Sequence, residues 1–218
     1  LSDLKEMSIT ELQEIVANKK SQDPEIVIAV LELIAENAYG ETDYQSMEAW
    51  YEQLREYAHE ARIPSTEANA LYKIGFARYL RDEYEDSINA YTAAEEIYVR
   101  LFDDANYFEC GRAKADALFA NDDYRRAISL GEDLLQKALS SERFKLAGQA
   151  AFVIARCYEQ LNYDTLTDIT DAFLEAAEHY AEEARGYFEN SGDFGLVAEV
   201  LAFQADLDPE VGLPERLR

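Results

Sequence analysis

The chain has 218 residues, 48% of them apolar, and carries 45 acids against 20 bases for a formal charge of −25. An acid excess of this size, present in each third of the chain, leaves no cationic surplus to neutralise phosphates or anionic headgroups, so nucleic acid and membrane surfaces are excluded as direct partners. Apolar runs stay well short of the roughly 20 residues that span a bilayer, and the opening "LSDLKEMSIT" has neither the basic flank nor the apolar core of a signal peptide.

Helical signals follow one another along the chain. Ser8 with Glu11 three residues later forms a capping box that opens an apolar rhythm of Ile9, Leu12, Ile15 and Val16, and an N-terminal capping helix is expected within 1–23. Asp23 and Pro24 start a second helix that carries Ile26, Val27, Val30, Leu31 and Ile34 and stops near Gly40. A third runs from about Tyr44 to Arg62 and is stopped by Pro64, after which Ser65 and Glu67 begin the fourth. Near the end, Gly192 makes a turn into a last helix whose apolar face is Phe194, Val197, Ala198 and Leu201. Residues 208–218, with Pro209, Gly212 and Pro214, read as a tail. No stretch shows the period-2 alternation of a strand, so the expected class is all-α.

Shifting the sequence by about 40 residues superimposes helix pairs on one another. Residues 70 to 94, "ALYKIGFARYLRDEYEDSINAYTAA", align with 110 to 134, "CGRAKADALFANDDYRRAISLGEDL". Gly75 falls over Ala115, Tyr84 over Tyr124, Ile88 over Ile128 and Ala94 over Leu134. A further shift brings Ala155 to the small-residue position with Ile154 over Ile74, and a backward shift brings Ala35 there. A small residue at this place lets the second helix of a pair approach the first closely. A glycine inside a helix costs about 1 kcal/mol against alanine, and tight packing at Gly75 is the expected compensation.

These motifs resemble the tetratricopeptide repeat (TPR) family in an extended form. Ile74-Gly75, Tyr84, Tyr91 and Ala94 follow the family pattern, with Ser87 where alanine is usual. Ala115, Asp123-Tyr124, Ala127 and Leu134 follow it in part, with Gly131 in place of the later aromatic. Ile154-Ala155, Tyr158 and Asn162 fit the first half of a third unit, after which a longer second helix departs from the pattern. The resemblance implies a right-handed superhelix of antiparallel helix pairs, a TPR-like α-solenoid of about nine or ten helices. Its units are placed at approximately 24–64, 65–102, 103–140 and 141–190, with a capping helix at 193–207 closing an array over 24–207.

In that family the first helices of successive pairs line a concave groove. Carried over by position, the groove candidates are Asn69, Tyr72, Lys73, Phe76 and Tyr79, then Glu109, Arg112, Asp116 and Phe119, then Gln149, Phe152, Arg156 and Glu159. Aromatics offer stiff contact area and an arginine can fork onto a carboxylate, which suits recognition. The same aromatics serve equally as packing between neighbouring helices. Asn69, Lys73, Arg112 and Arg156 are the nearest match to the carboxylate clamp of chaperone-tail adaptors, but Tyr72 and Phe76 stand where that clamp uses lysine and asparagine.

Catalytic signatures are missing. His59 and His179 each stand alone on a helix and neither resembles a HExxH metal site, and glycine-rich phosphate loops, nucleophile elbows and calcium loops are absent, so neither enzyme activity, metal nor cofactor is expected. Cys110 and Cys157 lie among apolar residues as small buried side chains, suggest no disulfide framework and fit a reducing, cytoplasmic compartment. The expected function is a non-catalytic protein-interaction scaffold that holds a peptide or partner domain, basic or amphipathic to suit the acidic exterior. The alternative is a ligand-responsive regulatory or sensor region of a larger signalling or transcription protein. Weak self-association through the terminal helices is a third expectation.

Overall fold

A computed structural model describes residues 4, 7–18, 23–164 and 170–207. Among these residues there are ten helices and no strand: α1 (Ile9–Ala17), α2 (Pro24–Gly40), α3 (Tyr44–Ala61), α4 (Pro64–Tyr79), α5 (Tyr84–Leu101), α6 (Asp104–Ala120), α7 (Tyr124–Ser140), α8 (Phe144–Asp164), α9 (Thr170–Ser191) and α10 (Phe194–Leu207). The expected class, repeated helix pairs of an α-solenoid, is what the chain forms. The expected tail 208–218 lies outside the described residues, as does the end of the segment expected to precede α2.

The regularity comes from the turns. Thr42, Arg62, Asp82, Phe102, Asp122 and Glu142 have left-handed backbone, each twenty residues after the last, and Gly192 takes the same place after α9 at φ +78. After each left-handed residue the next N–H reaches back five residues to a carbonyl. Asp43 to Ala38, Ile63 to Ala58, Glu83 to Arg78, Asp103 to Tyr98, Asp123 to Leu118, Arg143 to Ala138 and Asp193 to Phe188 all measure 2.9–3.0 Å. This bond closes one helix in a Schellman motif while the same residue caps the next. Asp43 accepts from the Ser46 N–H at 3.0 Å, Asp103 from Asn106 at 3.2 Å and Asp123 from Arg126 at 3.3 Å. A helix-and-turn cycle of twenty residues is the physical origin of the repeat near forty.

Boundaries follow the capping chemistry with one correction. The Ser8–Glu11 capping box closes in both directions, with the Ser8 N–H donating to Glu11 Oε2 at 2.8 Å. Asp23 caps α2 through the Glu25 N–H. Pro64, expected to stop α3, instead opens α4 as its first residue, with Ile63 as N-cap. Its missing N–H is one that a helix start leaves unbonded anyway, and α3 is ended by the left-handed Arg62.

The chain divides into two compact units, Leu1–Ala113 and Lys114–Arg218, with the boundary inside α6. In the first, Val27, Leu31 and Ala35 of α2, Met47, Tyr51 and Leu54 of α3, and Ala70, Ile74 and Ala77 of α4 form one buried cluster. Leu12 of α1 closes its α2 end together with Val30 and Ile34, and Ala68, Ala94, Ile97, Tyr98 and Cys110 form a second cluster across α4, α5 and α6. Arg78 and Arg81 pair with Glu48 of α3 at 2.7 and 2.6 Å. In the second unit the buried set includes Ala127, Leu134 and Ala138 of α7, Ala147, Ala151, Ile154 and Cys157 of α8, and Ala177, Ala181, Ala184 and Phe188 of α9.

The small-residue column stands as read: Ala35, Gly75, Ala115 and Ala155 are all buried. A Cβ at Gly75 would lie 2.8 Å from the Tyr91 ring and 3.2 Å from the Ser87 carbonyl oxygen, which is why no larger residue fits. Ser87, fully buried, donates its hydroxyl to the Gly75 carbonyl at 2.8 Å, so the departure from alanine adds a bond across the same contact. The face of α10 differs from expectation. Val197, Val200 and Leu207 are its buried residues, while Phe194 is 73% and Leu201 47% exposed and Ala198 also faces out. Apolar residues lie on every side of this helix, so periodicity alone could not choose which side packs.

Candidate functional site

Helices α2, α4, α6 and α8 are the first members of the pairs, and every groove candidate on α4, α6 and α8 is half-buried, with one part in contact and one part reachable from solvent. Within the first unit the candidates meet side chain to side chain. Tyr72 donates its hydroxyl to Glu109 Oε1 at 3.1 Å, linking α4 to α6. Arg112 forks onto the same carboxylate, Nη2 to Oε1 at 2.5 Å and Nε to Oε2 at 3.3 Å. The guanidinium therefore holds Glu109 below the usual carboxylate range against the opposing effect of burial. Burial, then the Glu109 charge, pushes the Tyr72 phenol up to about 12. Its ring also lies against Tyr91, centroids 5.3 Å apart.

Toward α2, Asn69 donates to Glu32 Oε1 at 3.4 Å. Burial and the neighbouring Glu36 raise the Glu32 carboxyl, while Lys73 and Asn69 pull it back. Phe76 stacks at a tilt on Tyr39 of α2 at 5.8 Å, and Tyr79 on Tyr84 at the same distance. Glu32, Glu36 and Tyr39 were not among the expected site residues. A signal was available: one more backward step of forty residues places them over Tyr72, Phe76 and Tyr79.

Within the second unit, the Arg156 guanidinium lies 4.4 Å above the centre of the Phe119 ring, a cation–π contact joining α8 to the end of α6. Phe119 also meets Tyr124 edge-on at 5.5 Å, and Phe152 meets Phe203 of α10 edge-on at 5.4 Å. Asp116 and Arg156 both act on the Cys157 thiol, which burial pushes up to about 12. Gln149 and Glu159 share the α8 stretch that carries Phe152 and Arg156, and both are half-buried.

Cys157 is buried and protonated, Cys110 is buried, and the side chains of His59 and His179 are 73% and 66% exposed. Among the described residues no group of three or more His, Cys, Asp or Glu is arranged to hold a metal ion, and no helix is long and apolar enough to cross a membrane. What the faces offer is forked guanidinium, carboxylate and aromatic surface, the elements of peptide recognition.

Neither a protein-family model nor a curated protein matches the chain. Solved structures do. The apo form of RapI superposes with a TM-score of 0.76 at 16% identity over 93% of this chain and 53% of that one. The Rap conjugation gene regulator of the plasmid pLS20, in complex with the Phr* peptide, gives 0.60 at 21% identity over 88% of this chain and 52% of that one. BtubC (BKLC) from P. vanneervenii gives 0.58 at 14% over 93% and 87%. At these identities the likeness establishes the helical-repeat fold alone, and the chain spans about half the length of the two Rap structures.

Proposed function

We propose that the chain is a TPR-related, non-catalytic interaction module that holds a peptide, or an extended segment of a partner protein, against the faces of its first helices. The observation that carries this reading is the half-buried triad Tyr72, Glu109 and Arg112, repeated in kind by Arg156 over Phe119. Charged groups braced by neighbours at fixed spacing are preorganised for ligand contact, because little rotamer freedom remains to be lost on binding. A basic or amphipathic ligand suits Glu32, Glu36 and Glu109 and the charge of −25. A Rap protein of the same fold was solved with the Phr* peptide bound, which favours a peptide over a folded partner, and another Rap protein was solved in complex with competence and sporulation factor.

A second reading is that the chain is the ligand-responsive part of a larger regulator. It is favoured by the pLS20 Rap protein, a gene regulator about half of which this chain covers.

The test is selection of peptides from a display library on the full chain, followed by affinity measurement against Arg112→Ala, Arg156→Ala and Glu32→Gln. Selected peptides should be enriched in basic residues and lose about tenfold in affinity per substitution. Undiminished binding to a folded Arg112→Ala/Phe152→Ala/Arg156→Ala variant would refute the assignment of these faces. For the second reading, the selected peptide should slow amide exchange in helices it does not touch; protection confined to its contacts would leave a passive holder.

A further inference from the structure

The second unit contains a cavity that none of the expected site residues lines. It has a volume of about 330 Å³, and its walls are Arg125, Ile128, Ser129 and Glu132 of α7, Tyr158 and Leu161 of α8, and Phe173 of α9. That volume sits at the small end of the range typical for ligand pockets, roughly 300–1,000 Å³. Two features give the cavity a chemical direction.

The first is an aromatic wall. Tyr158 lies between Phe173, with centroids 6.1 Å apart, and Tyr180, stacked at 5.8 Å with planes 11° apart. Glu132 borders this wall and accepts a hydrogen bond from the Tyr180 hydroxyl, and burial, then the Glu132 charge, keeps both the Tyr158 and Tyr180 hydroxyls protonated. Phe173 and Tyr158 both line the cavity, and aromatic surface beside a carboxylate attracts a cation, a planar guanidinium above all. The charge of −25 raises the local concentration of such a ligand.

The second is the opposite charge at the far end. Arg125, Ser129 and Glu132 sit at i, i+4 and i+7 on one stripe of α7, so the Cα atoms of the two charged residues are about 10 Å apart along the helix axis. Arg126 next door is turned to Asp123 at 3.0 Å, whereas Arg125 has no hydrogen bond or ion pair among the described residues. Ile128 and Leu161 provide an apolar floor between the ends. A ligand satisfying the whole strip carries a cationic head, an apolar stem and a carboxylate.

We propose that this cavity is a second binding site, separate from the first-helix faces, which takes the zwitterionic end of a basic amino acid: guanidinium or ammonium on the aromatic wall and Glu132, carboxylate on Arg125. The ligand is either the free amino acid or a peptide chain that ends in one.

The experiment follows the aromatic ring resonances of the 218-residue chain during titration with L-arginine, L-arginine amide and L-citrulline, which keeps the shape but replaces the guanidinium with a neutral urea. Arginine should give saturable shifts at Tyr158, Phe173 and Tyr180, with citrulline at least about tenfold weaker. Glu132→Gln should weaken arginine about tenfold and leave citrulline unchanged. Arg125→Ala should bring arginine to the affinity of the amide while the amide itself is unaffected. Both substituted residues are exposed, so the variants should fold, and circular dichroism checks that they do. A peptide ending in arginine identifies the source: tighter binding than the free amino acid points to a chain end, equal or weaker binding to the amino acid itself. No saturable shift by about 20 mM arginine, equal affinity for citrulline, or indifference to Glu132→Gln would overturn the site.

Discussion

The contact of α4 with α5 in the first unit lies within a helix pair and that of α7 with α8 in the second lies between successive pairs, yet both seat a large side chain against a glycine. In the first, Gly75 sits on the first helix of a pair and receives Tyr91 from the second. Forty residues on, the place of Tyr91 is taken by Gly131, and the incoming knob is Ile154 of α8, whose Cγ1 would lie 2.6 Å from a Cβ there. Gly148 of α8 repeats the arrangement against the ring of Phe188 of α9, again at 2.6 Å. Each slot accepts one large side chain against one missing side chain, so the same size rule serves a contact within a pair and a contact between pairs. Gly131 departs from the aromatic of the TPR pattern at a place where the second helix of one pair receives Ile154 from the first helix of the next.

Each slot can be broken from either side. Truncating the knobs should give the largest effects: Tyr91→Ala about 3–5 kcal/mol and Ile154→Ala about 2–5 kcal/mol of lost stability, because both side chains are buried. Filling the slots, Gly75→Ala or Gly131→Ala, should cost about 1–3 kcal/mol through overpacking, despite the roughly 1 kcal/mol that alanine gains in a helix. The cost should fall in the truncated background. Gly131→Ala should stabilise the Ile154→Ala chain, and Gly75→Ala should lose most of its cost in the Tyr91→Ala chain, where the added methyl still meets the Ser87 carbonyl oxygen at 3.2 Å. Urea unfolding followed by the single tryptophan, Trp50 of α3, reports the first unit, and far-ultraviolet circular dichroism reports both. Equal costs of a glycine substitution in native and truncated backgrounds would refute the knob-and-slot account.

Much of this was legible in the sequence because period and size survive alignment. The forty-residue shift that found Gly75, Ala115 and Ala155 also placed Tyr72, Arg112 and Arg156 on first-helix faces, since one helical register carries core and face together. What failed to show had physical causes. Glu32, Glu36 and Tyr39 lie on α2, whose unit shares the forty-residue spacing but little of the repeat's residue pattern, so no groove position was carried over to it. The packed side of α10 could not be read because apolar residues surround that helix. The role of Ser87 needs the Gly75 carbonyl opposite it. The cavity between α7, α8 and α9 combines residues from 125 to 173, which no local motif can link.

A smaller test separates the two contacts by their chemistry. The α4–α5 slot is bordered by a phenol, Tyr72, with its ring against Tyr91 and its hydroxyl on Glu109, while the side chain that fills the Gly131 slot is aliphatic Ile154. Replacing Tyr72 with phenylalanine removes one hydrogen bond to a partly exposed carboxylate, worth about 1 kcal/mol at neutral pH. The phenol ionises at about 12 in the folded chain against about 10 when unfolded. With the folded value the higher one, its share of stability is fully present below pH 10 and is lost as pH rises through 12. Monitored at Trp50, the native chain should lose stability across that window more steeply than Tyr72→Phe; parallel curves would mean that the phenol is not held by its surroundings.

The turns probe whether the difference between the units is confined to helix faces, with the smallest effects of all. Phe102 in the first unit and Gly192 in the second occupy the same left-handed position, at φ 55 and φ 78. A residue with a Cβ pays about 1 kcal/mol there through its clash with the backbone. Phe102 is 91% exposed and has little packing to lose, so Phe102→Gly should raise the Trp50 transition by somewhat under 1 kcal/mol. Open space surrounds the missing Cβ of Gly192, so Gly192→Ala tests backbone strain alone and should lower stability by about the same amount. Opposite shifts of similar size would show that one turn geometry serves both units whatever residue occupies it. A loss of stability in Phe102→Gly would instead mean that the exposed ring makes contacts that offset its strain, and the α5–α6 turn would then join the glycine slots as a place where the units differ.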